Sequence, residues 1–406
     1  MFELAVIGAW AEFAIRWLHV ITAIAWIGSS FYFIALDLGL HRDRNLASGA
    51  DGEEWQVHGG GFYHIQKYLV APADMPGHLV WFKWESYATW LSGFALLAVV
   101  YYLGAEFYLV DPEVLDIAPG WAIAISILSL VFGWLIYNLL CRIFVDADQT
   151  RLMLALFGVL VAMSYFYASV FAGRAALLHL GAFTATIMSA NVFMIIIPNQ
   201  KIVVADLIAG QVPDARYGKI AKQRSLHNNY LTLPVIFLML SNHYPLAFAS
   251  QWNWVIAALV FLMGVSIRHF FNTLHARRGM AWWTWGVTAA IFVLIVWLST
   301  LPMRTTNPDH LTAGAQRFTD TEGFTDVADI VIGRCAMCHA ARPGWPGLHW
   351  APKGIALETD AQVALHARAI YLHSARSHAM PPANLSWIEP DERAAIAAWY
   401  RRATGG

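Results

Sequence analysis

The sequence predicts an all-α chain: a polytopic membrane helix bundle with a smaller helical domain at its C-terminal end. Three observations predict it. Of 406 residues, 58% are apolar and only 13% charged, against ~25% charged in ordinary soluble domains. The apolar residues gather into long, nearly uncharged runs, and the mean hydropathy is +0.49. After residue 303 the composition changes to an ordinary soluble mixture. Together these exclude a soluble enzyme of usual composition and a disordered chain. The net charge of -1 offers no basic field for nucleic acid. Three Cys cannot make a disulfide scaffold, and part of the load of nineteen Trp suits interfacial aromatic belts.

A spanning helix needs roughly 20 apolar residues. About eight runs qualify, near 10–37, 82–104, 119–141, 152–172, 175–197, 230–250, 253–271 and 282–303. The first is expected to persist rather than to be cleaved as a signal, because no Lys or Arg precedes Arg16 and the run is too long. The runs 152–172 and 175–197 leave room only for a tight helical hairpin. Cys141 reads as a small packing residue. The run Gly59-Gly60-Gly61 lacks the Lys-Ser/Thr of a phosphate loop and reads as a flexible turn.

Loop charge gives an orientation. One set of loops holds Arg42, Arg44, Lys67, Arg142, Arg151, Lys201, Arg216, Lys219, Lys222, Arg224, Arg277 and Arg278. The opposite set holds Arg174 and the acidic Glu106, Asp111, Glu113 and Asp116. The positive-inside rule places the first set in the cytoplasm. The N-terminus and everything after Met303 are then expected on the outer, periplasmic side of a bacterial inner membrane. Domain boundaries follow: a membrane domain over 1–303, a linker over 304–322 punctuated by Pro308 and Gly314, and a second domain over 323–406.

Residues 335–339 read Cys-Ala-Met-Cys-His, the attachment signature of a c-type haem. Two thiols one turn apart add to the haem vinyls, and His339 then lies under the iron as proximal ligand. The alternatives are a redox Cys pair or half a zinc site, but neither a βαβ context nor further Cys ligands accompany it. Phe324–Arg334 has the apolar face of a first helix, with Val327, Ile330 and Val331. Pro390 opens a last helix at N1, followed by Asp391 and Glu392 in its first turn. Met380-Pro381-Pro382 between them resembles the distal loop of class I cytochromes c. That resemblance implies Met380 as sixth ligand, and His/Met ligation raises the potential. His373 and His378 compete for the position.

Ionisable residues inside spans are functional candidates by default. Arg16 and His19 share one face of the first span, in its outer half. Arg174 and His179 fall at a similar depth in the fifth span, and His243 near the outer end of the sixth. A second polar group lies on the inner side: Lys83, Glu85, Asn199, Gln200, Lys201, His227, Asn228, Asn229 and His269. Each has an ordinary reading as a snorkelling cation, a capping Asn or a hydrogen-bonded core His.

The chain as a whole resembles the bacterial membrane-bound urate hydroxylases, the PuuD family. The stretches that carry this are Arg-Trp-Leu-His at 16–19 leading to Ala-Trp-Ile-Gly-Ser-Ser at 25–30, Gly-Gly-Gly-Phe-Tyr at 59–63, Trp-Phe-Lys-Trp-Glu at 81–85 and Ile-Pro-Asn-Gln-Lys at 197–201. The resemblance implies about eight spans with a C-terminal class I cytochrome c domain. It also implies a reaction: urate and water give 5-hydroxyisourate, two electrons and two protons. The electrons leave through one covalent haem c toward a cytochrome c or terminal oxidase. Urate is an anion, so Arg suits its binding, and water activation needs a base. Arg16 and His19 meet these needs on the outer side, whereas Glu85, Lys201 and His227 suit an inner site. One haem holds one electron of two, and the first span also resembles the haem-binding helix of membrane protoporphyrinogen oxidases. A haem b on His19, completed by His179 or His243, is therefore a further possibility. The competing reading is a membrane-anchored electron-transfer cytochrome subunit without purine chemistry. A transporter is a third, and it fits poorly because Pro198 and Pro234 are expected near span ends rather than centres.

Overall fold

Away from water every peptide group must be bonded within the chain, so long apolar runs become helices. The computed structural model describes residues 4–43, 45–68, 72, 75–112, 114–144, 149–301, 311, 313–348 and 350–405. Arg44, Glu113, Met303, Pro308 and most of the N-terminal part of the expected linker lie outside the described residues. The first part of the chain contains α1 (Leu4–Gly39), β1 (Ala50–His58), β2 (Gly61–Tyr68), α2 (Trp84–Leu97) with a π turn over Ala98–Tyr102, and the short α3 (Ala105–Tyr108). It continues through α4 (Pro119–Ile143), α5 (Gln149–Val170), α6 (Gly173–Ala190), a second π turn over Asn191–Ile196, α7 (Ile197–Ile208) and α8 (Ala215–Leu240). The short α9 (Pro245–Phe248), α10 (Asn253–His275) and α11 (Trp283–Ser299) complete it. The C-terminal part holds α12 (Ala313–Thr319), α13 (Phe324–Cys335), α14 (Asp360–Leu365), α15 (Ala367–Ile370) followed by a π turn over Tyr371–Arg376, and α16 (Pro390–Thr404).

Each apolar run overlaps a helix among the described residues, though not always with the same ends. Among the described residues, five helical segments are long and apolar enough to cross a membrane: Leu4–Gly39, Pro119–Ile143, Gln149–Val170, Gly173–Ile208 and Asn253–His275. Two of them have 36 residues, about 54 Å at 1.5 Å per residue, so they reach beyond a hydrocarbon core of ~30 Å. The tight hairpin between α5 and α6 is present, closed by Phe171 and Ala172.

The fold departs from the sequence reading in three places. The chain is not purely α-helical. β1 and β2 pair antiparallel from Ala50–Tyr68 to His58–Gly61. Gly59 and Gly60 both have positive φ, 59° and 82°, as a two-residue hairpin turn demands. The glycine run is thus a specific turn. The run at 230–250 belongs to a helix that starts at Ala215, where Asp214 accepts a bond from Arg216 N at 2.8 Å. It stops at Leu240, before Pro245 opens α9. Arg224 therefore lies inside a helix rather than in a loop, and Pro234 lies in the interior of α8 rather than near its end. Finally, Ala313–Thr319 of the expected linker is helical, and Phe318 there is buried against Trp399 and Tyr400.

α4, α5, α6, α8 and α10 surround the bundle core, with Tyr137, Leu156, Phe171, Leu180, Phe183 and Phe261 fully enclosed. Cys141 packs there, as expected. Glycines permit the closest contacts: a Cβ at Gly133 would meet Phe183 Cε2 at 2.4 Å, and one at Gly264 would meet Pro234 Cδ at 2.5 Å. α1 runs antiparallel to α2, with His19 against Gly93 at one end and Phe33 against Phe82 at the other. Its outer face exposes Trp10, Phe13, Trp17 and Ile21.

The C-terminal helices form their own core around Phe318, Val331, Tyr371, Ile396 and Trp399. Tyr371 stacks on Tyr400 at 4.3 Å, and Trp399 Nε1 donates to Phe318 O at 3.0 Å. The ends of α16 follow its sequence signals. Glu389 and Glu392 make a capping box, Pro390 stands at N1, and Gly405 closes the helix with φ 82°. This unit docks on one end of the bundle. Arg174 Nη2 donates to Lys353 O at 2.9 Å, and Phe107 lies 6.5 Å from Phe318. A Cβ added at Gly354 would touch Pro245, and one added at Gly8 would touch Arg368. The opposite end carries the β hairpin, tied down by Asp37, Lys67 and Lys222.

Candidate functional site

The outer candidates gather at one end of the bundle, where Arg16 and Arg174 both lie within electrostatic reach of His243 and of Tyr101. Arg16 Nη2 is held by Glu12 Oε1 at 2.7 Å, one turn earlier on α1. That carboxylate offsets the charge an anion would need. His19 Nδ1 faces Thr89 O at 3.0 Å and Ser92 Oγ at 3.2 Å, seated against Gly93. The ring locks α1 to α2. Glu85 stands in the first turn of α2, one turn before Thr89 and toward the inner end, and among the described residues no bond links it to Arg16 or His19. His179 is a hydrogen-bonded core residue. Its Nδ1 donates to Ala175 O at 2.8 Å, so its Nε2 accepts from Ser126 Oγ at 2.9 Å. This leaves no lone pair for a haem b iron.

A different cluster is brought together deep in the bundle. α8 places Arg224 and Asn228 one turn apart on one side. Arg224 Nη1 donates to Asn191 Oδ1 at 3.2 Å and Nη2 to Asn138 Oδ1 at 2.8 Å. Asn191 Nδ2 donates to Asn228 Oδ1 at 2.9 Å and to the Tyr137 hydroxyl at 3.0 Å. That hydroxyl lies 2.8 Å from His227 Nδ1. The guanidinium carbon stands 4.8 Å from the Tyr137 ring centre and 6.0 Å from that of Trp134. On the next side of α8, Asn229 Oδ1 accepts from Arg268 and Asn272, and Arg268 lies over the Phe31 ring at 4.1 Å. Arg224, Asn191, Asn228, Asn229, His227, Tyr137 and Arg268 are all buried.

The sequence reading named His227, Asn228 and Asn229 but treated such Asn residues as helix caps. They are mid-helix, bonded across to α6 and α10. Arg224 was counted as a loop cation, while Arg268, Asn191 and Tyr137 went unremarked. An Arg within the apolar run 253–271 is a signal that could have found Arg268. Lys201 and Gln200 stay exposed, and Asn199 reaches only Tyr217 O at 3.5 Å.

In the C-terminal unit, α13 ends at Cys335, and His339 N bonds back to Cys335 O at 2.8 Å. His339 Nδ1 lies 2.8 Å from Ile355 O. A carbonyl only accepts, so Nδ1 carries the proton and the Nε2 lone pair is left for another group. Burial, with Cys338 adding to it, pushes the Cys335 thiol up to about 11. Redox thiols need the reverse shift. Among the described residues no three His, Cys, Asp or Glu side chains could hold a metal ion between them. Met380 is 38% exposed, on a loop held by backbone: its N donates to His373 O at 2.8 Å, and buried Arg393 donates to Met380 O at 3.0 Å. This donor set, two free thiols beside a histidine with an open Nε2, fits a covalently attached haem.

A family model described as Urate oxidase N-terminal matches residues 5–299. No curated protein and no solved structure matches the chain.

Proposed function

Because the chain belongs to the urate oxidase N-terminal family, we propose that it is a membrane urate:cytochrome c oxidoreductase. Urate and water give 5-hydroxyisourate, two protons and two electrons, and the electrons leave one at a time toward a respiratory acceptor. The observation that carries this reading is the union of two parts in one chain. The family region ends in a helix bundle, and a Cys-x-x-Cys-His unit is docked on that bundle through Arg174, Lys353, Phe107 and Phe318. The proposed acceptor is thereby tethered to the bundle.

Cys335 and Cys338 would hold a haem c covalently, with His339 and Met380 as the side chains that hold its iron; bound there, the group would supply one-electron acceptance. The Ile355 carbonyl fixes the tautomer and orientation of His339. Arg393 holds the Met380 loop against α16. The bundle's part is to bind the substrate, exclude bulk water and take up protons. The five long apolar helices favour a bilayer location. The docked unit, the N-terminal end of α1, Glu106 and Arg174 share one end, in keeping with a periplasmic cytochrome domain on a bacterial inner membrane.

Turnover in H2 18O under air tests the reading. The product is expected to carry the label from water, with no hydrogen peroxide formed. Label drawn from O2, or stoichiometric peroxide, would overturn it.

A further inference from the structure

We propose that the buried Arg224 cluster is the site that binds the urate anion. This rests on the urate reading above and locates it. A buried guanidinium is costly unless a counter-charge and full hydrogen bonding accompany it. Arg224 is only 3% exposed, yet among the described residues its partners are neutral amides and rings, with no carboxylate.

The unmet bonding has a direction. Among the described residues Arg224 Nε is buried with no partner, and it is a donor. The neighbouring acceptors are already engaged: Asn191 Oδ1 by Arg224, Asn138 Oδ1 by Arg224 and Asn228 Oδ1 by Asn191. The cluster therefore lacks an acceptor and a negative charge. A planar anion rich in carbonyl oxygens supplies both, and a guanidinium suits planar recognition.

The surroundings agree. Trp134 and Tyr137 offer flat apolar faces beside the cation. The Tyr137 hydroxyl and His227 Nδ1, 2.8 Å apart, form a pair able to relay a proton. Asn191 opens a π turn, a distortion frequent at functional sites. The N-terminal turns of α8 carry exposed Arg216, Lys219 and Lys222, the first beside Asp214 and the last paired with Asp37, which leaves Lys219 as a positive approach for an anion.

The substitution Asn191→Asp tests this sharply. The new carboxylate would stand where Asn191 Oδ1 meets Arg224 at 3.2 Å, closing the cation into an internal pair. Urate binding is measured by equilibrium dialysis on the full-length protein, reduced with dithionite so that no turnover occurs. Wild type is expected to bind urate in preference to xanthine or inorganic phosphate. Asn191→Asp, which can no longer donate to Asn228 Oδ1 or Tyr137, is expected to melt somewhat earlier yet remain folded at the assay temperature and lose at least tenfold in affinity, with Arg224→Lys also weakened. Hydrogen exchange on the wild-type protein needs no variant to fold: urate should protect 188–196 and 222–232. If wild type binds urate but protection falls elsewhere, or Asn191→Asp binds like wild type, the site is overturned and the function stands. If wild type neither binds nor oxidises urate, both fall.

Discussion

His339 donates its Nδ1 proton to the Ile355 carbonyl at 2.8 Å, and the bond decides which face of the ring is chemically available. The donor fixes the tautomer, the tautomer exposes Nε2, and Nε2 lies on the residue that follows the second thiol. Removing Nε2 with His339→Ala should yield a chain that cannot form normal axial ligation. In the proposed haem-bound protein, Met380→Ala should retain the covalent group but lower its midpoint potential, since methionine ligation raises it. Potentiometric titration of the α-band reads both. An unchanged potential in Met380→Ala would point instead to His373 or His378.

Arg393 should act on the same property without touching the group. It is buried, and it donates to Met380 O at 3.0 Å and to Asn384 Oδ1 at 3.0 Å. Arg393→Leu removes these bonds to an exposed loop, at about 0.5–1.5 kcal/mol each. The expected outcome is a lower potential and an earlier thermal transition of the C-terminal unit by calorimetry.

The Arg334–Glu392 fork makes that unit acid-sensitive. Burial tends to raise the Glu392 carboxyl, but the Arg334 guanidinium at 2.8 Å and the Glu389 backbone N–H more than offset it, so it titrates below the usual 4.5. A carboxylate lowered on folding contributes stability above its unfolded pKa, and that contribution is lost as pH falls through the folded value. Glu392→Gln should therefore lower the melting temperature at pH 7. The gap from wild type should narrow progressively below about pH 4.5.

Bundle packing gives a prediction free of any cofactor. A Cβ at Gly264 would lie 2.5 Å from Pro234 Cδ, and a proline ring cannot swing aside. Gly264→Ala should destabilise the bundle by about 1–3 kcal/mol through overpacking, read as a lower thermal transition in detergent. Gly286→Ala on α11, where a Cβ meets nothing within 4 Å, should be near neutral.

Much of the architecture was legible because apolar runs and end signals are local. The run 119–141, the hairpin between α5 and α6, and the Pro390 start of α16 needed only hydropathy, a short connection and a proline. The hairpin β1–β2 was missed because its strands alternate weakly and follow a long apolar helix, although Gly59-Gly60 is a turn signal in its own right. The site was less legible. Arg224 sits before the apolar part of its helix and so read as a loop cation. Only the packing of α8 against α4 and α6 shows that it is buried beside Tyr137 and Asn191. The pair Arg16 and His19 was visible as two polar residues on one face, but the roles of Glu12 and Gly93 in engaging them depend on geometry. The two π turns in the bundle have no periodicity of their own to read.

The central claim is that urate gives its electrons to the C-terminal unit of its own chain. The most direct measurement is anaerobic. The detergent-purified protein is oxidised, urate is added, and the reduced α-band of haem c is followed in time. Rapid reduction by urate and not by xanthine, at a rate independent of protein concentration, is the predicted result. A haem that dithionite reduces but urate does not would contradict the account.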